Sequence, residues 1–276
     1  MGDFFVVAHR ATPTNTRLGT VVSPARALAR LRRGDVALGR LDVLRSLDGI
    51  EPGLWALGRL GELGVTVLNG RPALVKAHDK LETAAALDGA GVPHPRTIPV
   101  APWLPLPELE PPVVLKPRFG SWGLDVVRCD TKDDVELTLA DLGSRRWFEA
   151  TGGLAQELIE PRGFDLRVIV CRGLVVGAVR RIAPPGEWRT NIALGGRREP
   201  VRPPEDACRL ALAAADAIGG TLVGVDLLPD GAGGWVVIEV NGAVDFTSAY
   251  SLEGDVFATV RSALLTAAPV PVLAAV

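Results

Sequence analysis

The chain has 276 residues, 47% of them hydrophobic, and a formal charge of −2. That length suits two or three packed lobes with a cleft between them, and a charge so near zero gives no electrostatic case for a nucleic-acid or membrane surface. The apolar residues are interrupted by Arg, Asp and Pro before any run reaches roughly 18 residues, so no membrane-spanning helix is expected.

In chain order, Met1-Gly2-Asp3 leads directly into the apolar run 4–8, without the basic segment and small-residue cleavage site of a secretory signal; a cytoplasmic protein is expected. Strands are predicted at 5–8, 35–41 and 65–68, alternating with helices at 24–33 and 52–63, and Asn69-Gly70 closes the series with a turn. This alternation predicts a small, mostly parallel α/β sheet. Asp79-Lys-Leu-Glu82 has the spacing of a capping box and opens a helix that Gly91 ends before Pro93. Six prolines between 99 and 112 exclude regular structure there and mark a junction. Beyond it the pattern turns to hairpins: strands at 113–116 and 124–128, a helix capped by Thr131, and strands at 154–159, 166–171 and 174–181. An irregular stretch at 183–204, a helix at 205–218 and strands at 222–228 and 235–240 follow, and the tail 267–276 carries no residues suited to chemistry.

Four places combine residues that chemistry could use. The last hairpin turns at Asp230-Gly-Ala-Gly-Gly234, which sets Asp226 opposite Glu239, with Asn241 on the same strand face as Glu239. Like charges facing across a sheet repel. A hard cation such as Mg²⁺ or Mn²⁺ between these oxygens is one reading, and a solvated edge hairpin is the other. The hairpin at Arg172-Gly173 sets Asp165 opposite Arg180, with Arg167 on the face of Asp165. Charge on strands otherwise so apolar points to a bound ligand or to a salt-bridged solvent face. Lys116 ends an apolar strand beside Phe119-Gly-Ser-Trp-Gly123, where a lysine and backbone N–H groups could hold a phosphate, although any strand-turn-strand looks similar. Arg189-Thr-Asn191 and Gly195-Gly196 lie in irregular backbone and read as a phosphoryl clamp or as a plain surface loop. No Walker loop, no G-x-G-x-x-G after the first strand and no serine nucleophile elbow is present. His9, His78 and His94 are expected to be structural or exposed, and Cys129, Cys171 and Cys208 to be inert core thiols.

Taken in order, Asp79-Lys80, Val114-Leu-Lys116 with Gly120-Ser-Trp-Gly123, Gln156-Glu157, Asp165-Leu-Arg167, Arg180-Arg181, Arg189-Thr-Asn191, Gly195-Gly196, Gly224-Val-Asp226 and Glu239-Val-Asn241 resemble the motif series of the ATP-grasp superfamily, over roughly 41–265. The set is similar to the branch that includes the ribosomal-protein-S6 glutamate ligase and related amino-acid ligases. The resemblance implies an ATP-grasp fold of α/β (α+β) class: a leading α/β domain over 1–75 and an ATP-grasp domain over 76–276, whose central lobe (about 76–155) and C-terminal lobe (about 156–270) clamp ATP. It further implies that Lys80 and Lys116 contact the ATP phosphates beside the loop of Gly120, Ser121 and Gly123. Glu157 with the backbone of Leu158 would hold adenine and ribose, and Asp165 and Arg167 would belong to the nucleotide set. Arg189 and Asn191 would face the γ-phosphate and the reacting carboxylate, Arg180 is the candidate for the tetrahedral oxyanion, and Asp226, Glu239 and Asn241 would hold Mg²⁺ or Mn²⁺.

The implied activity is ATP-dependent joining of a carboxylate to an amine through an acylphosphate. Its partners would be ATP, an amino acid such as glutamate, and an acceptor that is a peptide, a carrier protein or a small metabolite, with a homo-oligomer left open. A catalytically idle nucleotide-binding module, or an ATP-grasp kinase or carboxylase, are the other readings; the intact polar set argues against the first. Two features depart from the pattern. Gly242-Ala-Val-Asp-Phe246 replaces the usual small-residue and proline run and is similar to the carrier-protein ligases of lysine biosynthesis, and Trp122 occupies a loop position that is often small or polar.

Overall fold

Strands β1 (Phe4–Val7), β2 (Thr20–Val22), β3 (Val36–Gly39) and β4 (Thr66–Leu68) form a parallel sheet in the order β2-β1-β3-β4. Its central strands bury both faces, which explains why they read as continuous apolar runs rather than as alternating ones. The computed structural model describes residues 3–105 and 109–266. The tail 267–276 and part of the proline-rich stretch lie outside them.

A second sheet, antiparallel in the order β5-β8-β6-β7, contains β5 (Thr97–Val100), β6 (Val113–Pro117), β7 (Val127–Cys129) and β8 (Gly153–Glu157). Pro99 sits within β5, contrary to the expectation of no regular structure from 99 onward. As an edge strand β5 has one paired side only, and a residue without an N–H is tolerated there. The third sheet is antiparallel in the order β11-β10-β9-β12-β13, from β9 (Phe164–Cys171), β10 (Leu174–Ile182), β11 (Arg197–Pro200), β12 (Leu222–Pro229) and β13 (Trp235–Asn241). β11 corrects the irregular stretch expected at 183–204: its charged, proline-ended sequence carries no strand signal, and pairing to β10 imposes the conformation. The helices Arg71–His78, Arg146–Thr151 and Val256–Leu265 are likewise additions to the sequence reading. Thr131 caps its helix with a reciprocal bond to Asp134, and Asp79 caps Lys80–Gly89 by accepting from Leu81 N–H.

One apolar core runs beneath both the parallel sheet and the five-stranded sheet, joining Val6 and Leu38 to Ile169, Cys171, Phe246 and Val260. Asn69 pins the two sheets together. Its amide donates to the carbonyls of Leu222 and Gly242 at 2.7 and 3.1 Å and accepts from the N–H groups of Thr221 and Leu222. The turn signal at Asn69 therefore also supplies four bonds, three of them buried, to the end of the β12–β13 hairpin. Cys129 and Cys171 are buried as expected, whereas Cys208 is half-buried. Among the described residues no helix is long and apolar enough to cross a membrane.

Candidate active site

The second and third sheets face each other across a cleft of roughly 910 Å³, counting its open mouth. Its walls divide by chemistry. Val114, Leu158, Ile159, Leu228 and Ile238 form an apolar end, and Lys80, Lys116, Asp165, Asp226 and Glu239 form a charged one. Concave, mostly apolar space with a few convergent polar groups is the form of a small-molecule site, and here it would suit a flat heterocycle with a charged tail.

The charged end is built by register. Asp226 pairs with Glu239 across β12 and β13, as the sequence predicts, and Asn241 lies two residues further along β13. The β9–β10 hairpin departs from expectation. Pairs near its turn sum as predicted, but the register shifts between Val175 and Gly177, so that Asp165 faces Arg181 and Arg180 faces Leu166. A slip of one residue moves every later side chain to the other face. Arg180 accordingly lies off the cleft, with its guanidinium 4.7 Å from the centre of the Phe164 ring, and Arg181 lines the cleft in its place.

Arg181 is 4% exposed and bridges two carboxylates, donating to Asp165 through Nε at 2.7 Å and to Asp226 Oδ2 at 2.8 Å. Arg167, expected among nucleotide ligands, instead braces Asp226 with two bonds of 2.6 Å and does not line the cleft. Thr190 adds a 2.5 Å bond from its hydroxyl to Asp165. Burial alone would raise the Asp226 pKa; the two guanidinium groups outweigh it and hold the carboxyl below its ordinary range. The cluster is thus an ionised, charge-balanced floor under the cleft.

The phosphate candidates are positioned from the other side. Lys116 is buried at the end of β6, and its ammonium donates to Gln156 Oε1 at 2.7 Å, while the Gln156 amide is fixed by Thr97 Oγ1 at 2.8 Å. Burial, then the nearby charge of Lys80, lowers the Lys116 pKa to about 8. Lys80 reaches the same region from the helix capped by Asp79, bonding Gly120 O at 2.5 Å and pairing with Glu239 at 3.2 Å. Gly120, Ser121 and Gly123 line the cleft beside them. Gly123 has φ +74°, and a Cβ there would come within 2.9 Å of Asn191 Oδ1, so the loop can lie against Asn191 only with glycine at this position. Arg189 donates to the Gly123 and Val126 carbonyls and pairs with Glu187 at 2.7 Å, tying the 183–196 segment over the loop. Glu157 and Leu158 line the apolar end, with the Leu158 N–H donating to Pro112 O.

The residues expected to hold a divalent cation are only partly brought together. Asp226, Glu239 and Asn241 offer oxygens of the hard kind such an ion takes; Asp226 and Glu239 line the cleft whereas Asn241 does not, and both Asp226 oxygens are engaged by Arg167 and Arg181. The sequence reading placed Gln156, Arg181 and Thr190 within the motif series but gave none of them a role. The signal was their place in that series, next to Glu157, next to Arg180, and between Arg189 and Asn191.

The description "RimK-like ATP-grasp domain" belongs to the family model that matches residues 101–258. The chain is 34% identical to the probable alpha-L-glutamate ligase 2 of Shewanella amazonensis over 66% of its own length and 60% of that protein. It is 29% identical to the alpha-aminoadipate–LysW ligase LysX of Saccharolobus solfataricus, over 67% of this chain and 68% of that one. With the tetrahydromethanopterin:alpha-L-glutamate ligase of Methanosarcina acetivorans it shares 30% identity over 71% and 66%. The matches thus span about two thirds of these curated relatives. Among solved structures, D-alanine–D-alanine ligase from Bacillus anthracis superposes with a TM-score of 0.68 at 18% identity, covering 96% of this chain and 95% of that one. A RimK-domain ATP-grasp protein from Sphaerobacter thermophilus gives 0.64 at 21% identity, covering 96% and 100%. At these identities the likeness is one of fold.

Proposed function

Because this chain belongs to the RimK-like ATP-grasp family, we propose that it is an ADP-forming ligase that joins an amino acid through its amine to a substrate carboxylate. The observation that carries the reading is the convergence of Lys80, Lys116, Arg189, Asn191, Asp226 and Glu239 on one cleft with an apolar end. A carboxylate oxygen of the acceptor attacks the γ-phosphorus of ATP and ADP leaves. The amine nitrogen then attacks the acylphosphate carbon, the C–O bond to phosphate breaks, and the nitrogen loses a proton as the amide forms.

In this reading adenine lies against Val114, Leu158 and Ile238, and Lys116 and Lys80 neutralise the phosphates. Arg189 and Asn191 come to the transferring group from the 183–196 segment, which requires Arg189 to exchange its bonds to Glu187 for bonds to substrate. Asp226, Glu239 and Asn241 would hold Mg²⁺ or Mn²⁺, which would neutralise charge on the phosphates, Asp226 exchanging a bond to Arg167 or Arg181 to do so. Arg181 replaces Arg180 as the guanidinium nearest the reacting atoms, and its bonds to Asp165 and Asp226 make it a positioning residue as well. The protein's contribution is chiefly placement and charge neutralisation. The acceptor is of the kinds named in the relatives, a carrier protein or a small metabolite, and the reaction takes place in the cytoplasm.

Purified protein with ATP and Mg²⁺ should release ADP only when both an acid and an amine are supplied, and mass spectrometry should find the product joined with loss of water. ADP release with no condensed product would favour a kinase instead. A pH dependence follows from Lys116. Phosphate binds the ammonium form, so ATP affinity should be level below the free-protein value of about 8. Above it, each binding event must take up a proton, and affinity should fall by up to about tenfold per pH unit. Nucleotide titrations from neutral to alkaline pH would show this break in the wild type and its loss in Lys116→Met.

A further inference from the structure

Arg189 lines the nucleotide cleft, yet most of its donors are taken by the protein itself. A guanidinium has five N–H groups, and four of them are engaged. Nε donates to Glu187 Oε1 at 3.0 Å and Nη2 to Glu187 Oε2 at 2.7 Å, while Nη1 donates to Gly123 O at 2.9 Å and to Val126 O at 3.3 Å. The two bonds to Glu187 join one edge of the guanidinium to both oxygens of one carboxylate, the forked geometry in which an arginine also takes a phosphate. Glu187 does not line the cleft. A carboxylate from outside the site therefore holds the edge of Arg189 that a transferring phosphoryl group would use.

Glu187 is placed independently of that arginine. It ends the turn Pro184-Pro185-Gly186-Glu187, in which Gly186 has φ +80° and the Glu187 N–H donates to Pro184 O at 3.1 Å. Its Oε1 also accepts from the backbone N–H groups of Trp188 and Arg189, each at 2.9 Å. These bonds do not depend on the guanidinium. Releasing Arg189 thus leaves no carboxylate stranded without donors, which is the costly outcome when one partner of an ion pair is removed. The next residue, Thr190, is anchored through its hydroxyl to Asp165, so only the arginine side chain has to move. The bonds from Arg189 hold the Glu187 carboxyl down at about 2, and it is a full anion across the working range. A terminal phosphate carries nearly two charges near neutral pH against the single charge of a carboxylate. It can therefore displace Glu187 from the arginine, and Glu187 can return once the phosphate has gone.

We propose that Glu187 is a positioning residue that competes with phosphate for Arg189: it yields the guanidinium to the γ-phosphate of ATP and takes it back after the amide has formed, which expels inorganic phosphate from the cleft. The proposal rests on the ligase reading and deepens it. Arg189 responds to the terminal phosphate that ATP has and ADP lacks, and Glu187 keeps that phosphate from being held too tightly to leave.

The test is calorimetric titration of the full chain with Mg²⁺ present, using ADP and the non-hydrolysable β,γ-imido analogue of ATP. Glu187→Gln should bind the analogue about fivefold tighter than wild type, the scale of one partly exposed ion pair, while ADP stays within about twofold. Inorganic phosphate titrated onto the ADP complex should gain by a similar factor. Arg189→Met should weaken the analogue, and the double variant should bind it as Arg189→Met alone does, since the gain acts through that arginine. Glu187→Asp keeps the charge and should stay within about twofold of wild type, which separates competition from damage to the turn. Analogue affinity unchanged or weakened in Glu187→Gln, an equal gain for ADP, a gain that survives Arg189→Met, or the same gain in Glu187→Asp would overturn the competition while leaving the ligase reading intact. A wild-type chain that binds neither nucleotide would sink that reading and this one with it.

Discussion

Glu239→Gln is expected to lower ATP-dependent turnover by at least ~10²-fold with little change in stability. Glu239 faces Asp226 across the strand pair, and its side chain is 20% exposed at the cleft, where its charge is matched by Lys80 at 3.2 Å. The amide keeps the size of the side chain but removes the negative charge and turns one acceptor oxygen into a donor. Lys80 then loses its carboxylate partner, and a divalent cation would lose one of two anionic ligands. Partly exposed ion pairs contribute at most about 1 kcal/mol to folding, so the melting temperature should move by only a few degrees while catalysis collapses. ADP release and thermal melts measured on the same preparation would separate the two effects. Turnover within a few-fold of wild type would remove Glu239 from the metal set.

The second large effect contrasts neighbours. Arg181→Ala should destabilise the protein by about 3–5 kcal/mol, because it strips a buried guanidinium from Asp165 and Asp226 and leaves Asp165 with Thr190 as its remaining side-chain partner. For a domain of this size that is a fall in melting temperature on the order of 10 °C, and nucleotide binding should weaken with it as the floor of the cleft rearranges. Arg180→Ala removes a stack on Phe164, worth about 1 kcal/mol or less at a partly exposed site, and should leave nucleotide affinity unchanged. Melting curves and nucleotide titrations of the two variants would decide the assignment. Equal effects, or a larger one at Arg180, would contradict the shifted register of the β9–β10 hairpin.

These two cases show where reading residues in order succeeds and where it stops. The Asp226–Glu239 pair was anticipated by centring the hairpin on its turn, although the register shift between Asp226 and Leu227 lies between that turn and the carboxylates and is what brings Asp226 opposite Glu239. The same reasoning applied to Asp165 gave Arg180, because the shift between Val175 and Gly177 leaves no mark in the sequence of apolar and small residues there. A bulge is set by packing: a Cβ at Gly177 would come within 2.7 Å of the Tyr250 backbone, a neighbour more than seventy positions away in the chain.

The sequence by itself determined the mixed α/β class, the parallel leading sheet, most strands and capped helices, and the ordered polar set that marks the family, because periodicity, turns and caps are local and act within a few residues of their cause. Tertiary structure alone decided which arginine faces the carboxylates, that Arg167 braces Asp226 instead of facing the cleft, that β11 forms at all, and that Asn69 ties the parallel sheet to the β12–β13 hairpin. Each of these depends on strand register or on contacts between distant segments, and a single substitution pattern along the chain does not encode which segment will lie alongside which.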